Sequence, residues 1–158
     1  MQNPLKLLAH ALALWMHARV TFERGLDQIG IDDQGERFRA FRKVRVGSKN
    51  QRSSAPGAVF RVRFRFRNLS QATNRRLSCI PIPFILAQPG FLSKTWLLGE
   101  SSGDFMGYYE FETEATARAY WDSLPLKMMR RRAAPGSLSH EVLVGDLALP
   151  LNPVSRGQ

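Results

Sequence analysis

An α+β domain with elements in the order strand, helix, strand, strand, helix, strand is predicted over residues 58–145 of this 158-residue chain. Three observations carry it. Val59 to Arg67 reads Val-Phe-Arg-Val-Arg-Phe-Arg-Phe-Arg, a period-two alternation that puts one strand face on a core and the other on something polar. Ser70 and Thr113 each stand where a helix takes a capping hydroxyl, and each following segment runs into a proline. Glu100 to Asp104, rich in Ser and Gly, has the composition of a hairpin loop between two apolar runs.

Taken in chain order, residues 4–24 are expected to be helical, with Asn3 as the cap and Pro4 at the first helical position. Gly25 and Gly30 punctuate its end. Residues 31–57 read as an irregular connector, with Asp32-Asp33-Gln34-Gly35 as a turn and Phe38–Val46 able to form one or two short strands. Ser48–Gly57 reads as a polar loop. The first regular strand spans about 58–67, and the helix capped by Ser70 should fail near Pro81. Ile80–Phe84 is expected as an apolar, extended or kinked connector, and Gln88-Pro89-Gly90 as a turn. Strands follow at about 91–99 and 105–112. The helix capped by Thr113 should kink or split at Pro125. The last strand spans about 138–145, and the tail 146–158 is expected to be loose. The division is therefore 1–57, 58–145 and 146–158.

That order of elements is the ferredoxin-like topology, an antiparallel sheet in the order 4-1-3-2 with both helices on one face. Parity sends Phe60, Val62, Phe64 and Phe66 to the helices and Arg61, Arg63, Arg65 and Arg67 to the open side. Tyr108 and Glu110 of the third strand and Glu141 of the fourth join the arginines there, while His140 falls with the core. A four-stranded sheet with one bare face calls for a partner, so two such faces are expected to pack as a homodimer. The enclosed arginines, partly neutralised by Glu110 and Glu141, would face a small apolar or anionic ligand, because guanidinium offers fixed donors and keeps its charge.

Composition narrows the function classes. The formal net charge is +10, spread as ten Lys/Arg against five Asp/Glu in residues 1–57 and twelve against six in residues 58–136. Such a balance permits nucleic acid, anionic lipid or acidic ligands without selecting one. Cys79, the single cysteine, excludes an intrachain disulfide and a cysteine-cluster metal site, and points to a reducing, cytoplasmic setting. No catalytic triad order, phosphate-binding glycine loop or paired-carboxylate site is present, so no metal or cofactor is expected.

Gln88-Pro89-Gly90-Phe91-Leu92-Ser93-Lys94-Thr95-Trp96, Gly107-Tyr108-Tyr109-Glu110-Phe111-Glu112-Thr113-Glu114-Ala115 and Ala119-Tyr120 together resemble the dimeric α+β barrel superfamily. The nearest branch is the small monooxygenases related to YdhR and to the antibiotic-biosynthesis monooxygenases. The resemblance covers about residues 58–145. It implies a barrel formed by two sheet faces and, in several members, oxidation of aromatic substrates without metal or flavin, with Trp96 and Tyr108 as ligand-facing aromatics. Haem-degrading relatives use a histidine on the second helix, and residues 113–133 hold none.

Two other readings compete. Gly107–Phe111 also resembles the third-strand motif of the RNA-recognition domain. The stacking aromatic which that domain needs on the first strand is replaced here by arginine, which argues against nucleic acid. In residues 4–24 a narrow polar stripe of Lys6, His10, Ala13, His17 and Arg24 leaves a wide apolar surface, suited either to packing on the barrel or to an anionic membrane interface.

Overall fold

The structure is a computed structural model that describes residues 3–16, 20–24, 26, 28–47, 55–145 and 152–153. The polar loop at 48–54, His17, Gly25 and most of the tail lie outside the described residues. The elements are α1 (Pro4–Met16), β1 (Val20–Arg24), β2 (Gln28–Ile31), β3 (Arg37–Val46), β4 (Ala58–Phe64), α2 (Gln71–Leu77), α3 (Ile82–Leu86), β5 (Phe91–Gly99), β6 (Phe105–Phe111), α4 (Glu114–Ala119), α5 (Leu124–Arg132), β7 (Ser139–Val144) and β8 (Asn152–Pro153).

The four expected strands pair as expected. The sheet runs β7-β4-β6-β5, which is the 4-1-3-2 order, and every pairing is antiparallel. Ser70 and Thr113 cap their helices by accepting from the amides of Thr73 and Thr116. The second helix is split as Pro125 requires: α4 passes through a 3-10 turn at Tyr120–Asp122, and Ser123 then caps α5 with the proline in its first turn, where no donor is needed.

The amino-terminal third departs from expectation. The helix stops at Met16, and Val20–Arg24, with its Val, Thr and Phe, pairs with β3 as a strand. Nor is the connector irregular. Arg37–Val46 is one ten-residue strand that pairs with β5 along its length, with a bulge at Phe41. The sheet thus continues across residue 57 to β3, β2 and β8, and part of the expected loose tail is its last strand. Ile80–Phe84 holds no extended connector: Pro81 and Pro83 sit at the start of α3, where helices tolerate them.

The bulge lets β3 serve two layers. Val44 joins the helix-side core with Phe60, Val62, Trp96, Tyr109 and Leu126. Phe38 and Ala40 turn to the other face and bury Val59, Leu97, Met106 and Tyr108. The expected open face is therefore closed by the chain's own β3. Three strand spacings of about 4.8 Å separate β3 from β4 in a flat sheet, yet the turn after β2 reaches Arg63 of β4. The sheet curls into a barrel-like layer over its own second face.

The surface expected to meet a second copy is occupied in part by residues of the same chain. The purified protein should scatter light as one chain of 17.9 kDa. A mass of twice that value at micromolar concentration would show that the curled sheet still presents a partner surface.

Candidate functional site

The residues expected at the site fall into two separate places. On the inner face, Arg61 pairs with Glu141 and Asp33, and Arg63 with Asp32, Glu36 and Asp104. Arg65 donates to Asp104 at 2.7 Å. Parity placed these arginines correctly, but most of their partners come from elsewhere than the neighbouring strands. Asp32 accepts from the amides of Gln34 and Glu36, so one carboxylate shapes the turn and also holds Arg63. Glu36 takes the Ser102 amide at 2.8 Å with one oxygen and Arg63 at 2.9 Å with the other, tying the β2–β3 turn to the β5–β6 hairpin. Glu110 contacts no arginine in this network and accepts instead from the Ser93 hydroxyl.

Burial works against the charge of Arg61 and Arg63, but hydrogen bonds and the charges of Glu141, Asp33, Asp104, Glu36 and Asp32 outweigh it, and both pKa values rise. Three arginines meet five carboxylates here. No positive excess is left for an anion, which corrects the expectation of an anion-facing arginine surface. Tyr108 lies beside Arg61 on this face, and burial and Glu110 push its phenol up to about 12. A polar recess of about 240 Å³ opens here between the β2–β3 turn and β7.

On the opposite face, Trp96 lies in the core with the helices, together with a residue the sequence reading left unassigned. Lys94 shares its parity with Trp96 and pairs in register with Tyr109. It is 6% exposed. Its Nζ sits 4.1 Å from the centroid of the Trp96 ring and 4.5 Å from that of Tyr109. Among the described residues it has no ion-pair or hydrogen-bond partner. Burial, reinforced by repulsion from Arg42, holds its pKa well below the ordinary 10.5. Lys94, Trp96 and Leu98 share one face of β5, and the register of Lys94 against Tyr109 identifies that face as the helix side.

Lys94 lines a cavity of about 70 Å³ between the sheet and α2, α3 and α5, among Phe64, Leu77, Ile85, Phe105 and Met129. Exposed Ile80 and Met128 also line it and mark its mouth. The buried Tyr120 phenol belongs to the same lining and lies against Tyr109, with ring centroids 4.7 Å apart and the two hydroxyls in mutual interaction. Burial raises the pKa of both Tyr109 and Tyr120, so both phenols stay neutral. An apolar cavity whose lining includes a buried amine and a buried phenol is the candidate site on the helix side. His140, predicted core-facing, lies on the helix side but at its rim, stacked on Trp121 at 3.7 Å and on Phe60 at 5.6 Å. No group of His, Cys, Asp and Glu among the described residues could hold a metal ion.

Fold and layer order define the chain as an α+β protein built on a ferredoxin-like antiparallel sheet. The haem-degrading enzyme of Listeria monocytogenes shares the fold with a TM-score of 0.53 at 14% identity, over 84% of this chain and 91% of that one. A ferredoxin-fold protein from the same species, described as related to antibiotic-biosynthesis monooxygenases, gives a TM-score of 0.51 at 11% identity, over 84% of this chain and 86% of that one. At such identities the likeness is one of fold. No protein-family profile and no curated protein sequence matches the chain.

Proposed function

We propose that the protein binds a small, mainly apolar molecule in the cavity between helices and sheet, and acts there as a monooxygenase-like enzyme without metal or flavin. The observation that carries the proposal is the buried Lys94 amine, without an ion-pair or hydrogen-bond partner among the described residues, in the lining of one apolar space that it shares with the Tyr120 phenol. The amine gains a hydrogen-bond partner when the cavity fills, which favours a ligand with one polar substituent. Haem, the substrate class named for the Listeria enzyme, does not fit. At about 70 Å³ the cavity is far too small for a porphyrin, and no histidine lines it. Phenol titrated into the protein should shift the Trp96 indole and Met129 methyl resonances saturably. Shifts confined to Arg61 and Arg63 would return the site to the inner face.

A second reading concerns α1. Leu5 is 74% exposed on α1, and Leu12, 56% exposed, borders with Leu8, Phe22 and Ile82 a groove of about 360 Å³ between α1 and α3. Arg24, Arg75 and Arg76 lie on the flanking elements β1 and α2. No helix of the described residues is long and apolar enough to cross a membrane. An amphipathic surface of this kind suits an anionic bilayer interface. Liposome flotation should depend on anionic lipid and weaken with salt, since charge attraction is screened over about 8–10 Å at physiological ionic strength. Protein that never floats would assign the groove to packing within the molecule.

A further inference from the structure

We propose that Lys94 is a covalent carbonyl-binding residue: its amine condenses with a small aldehyde or ketone that enters the cavity between Ile80 and Met128, forming an imine. The inference rests on the cavity reading above and names its substrate class. The placement of the amine carries it. Lys94 lies at the sheet wall of an apolar cavity, its nitrogen against the faces of Trp96 and Tyr109. No carboxylate ties it down among the described residues, unlike Arg61, Arg63 and Arg65 on the other face.

Condensation needs the free amine as nucleophile, and burial, with repulsion from Arg42, shifts the amine toward that form. The step balances without a further reactant. The nitrogen lone pair forms a bond to the carbonyl carbon, giving a carbinolamine. The amine then gives up both its protons to the carbonyl oxygen, which leaves as water, and a carbon–nitrogen double bond remains. Tyr120, whose phenol is in the same lining, is the group placed to hydrogen-bond the carbonyl oxygen. Apolar walls disfavour the charged iminium and leave the neutral imine. The cavity volume of about 70 Å³ selects short chains.

The test uses the full chain at pH 7 with propanal, trapping with borohydride and locating the propyl group by peptide mass mapping. Lys94 should be labelled at least tenfold faster than Lys6 or Lys127, and the preference should vanish in urea. Lys94→Met should lose the fast adduct. Labelling of Lys94 no faster than the surface lysines in the folded protein would overturn the inference. 1-Propanol, which has no carbonyl, separates it from the reading it rests on. If the alcohol shifts the Trp96 and Tyr109 resonances but propanal leaves Lys94 unlabelled, the cavity binds and the imine is wrong. If neither acts, both fall.

Discussion

Arg63→Met should cost about 3 kcal/mol, because it removes the one guanidinium that Asp32 and Glu36 have among the described residues and one of the two that hold Asp104, all three carboxylates being buried or nearly so. For a chain of this length the loss corresponds to a fall in Tm of roughly 6–12 °C. The effect exceeds that of a surface pair because the three acids come from the β2–β3 turn and the loop before β6, and Arg63 of β4 is what joins them. The same cluster gives a pH signature. Hydrogen bonds from Ser102, and then the charge of Arg63, hold the Glu36 carboxyl below its ordinary 4.5 in spite of partial burial. Its contribution is therefore present above pH 4.5 and is lost as pH falls through the lower folded value. Glu36→Gln should flatten that part of the acid unfolding curve. An unchanged Tm for Arg63→Met would mean that the inner face is hydrated.

Lys94→Met should have the opposite sign. Burial and repulsion from Arg42 lower the pKa of the amine in the folded chain, so the unfolded state binds that proton more tightly. The contribution of this position to stability therefore rises with pH up to about 10.5. An apolar side chain of similar length removes the penalty and should raise Tm at pH 7, with the gain shrinking toward pH 10.5. Thermal unfolding at pH 7 and at pH 10 reads both. A residue that destabilises its own fold yet points into a cavity is one retained for chemistry, so the same variant should lose ligand binding while gaining stability. Loss of both would mean that Lys94 is only a packing element.

The carboxyl-terminal two-thirds was legible because its signals were local. Period-two alternation gave the strand faces, hydroxyl caps gave the helix starts, and Pro125 gave the break in the second helix. The arginine parity at 61, 63 and 65 was also read correctly. What failed was the identity of the partner for that face. Asp32 and Glu36 lie more than 25 residues from Arg63, and nothing periodic links a turn to a strand three places away in the sheet. The bulge at Phe41 concealed β3 further, since one extra residue breaks the alternation by which a strand is recognised. The expectation of a charged face open to a partner followed from missing these strands. Lys94 was overlooked for a different reason: a lysine beside Ser93 and Thr95 looks solvent-facing until its register against Tyr109 is known.

The central claim is that a buried Lys94 with a lowered pKa faces a ligand cavity on the helix side of the sheet. It is tested most directly by following the Lys94 side-chain Cε resonance against pH, with and without phenol. The account predicts a midpoint well below 10.5 that moves when phenol is present. A Lys94 that titrates near 10.5 with the other lysines, and does so regardless of phenol, would contradict it.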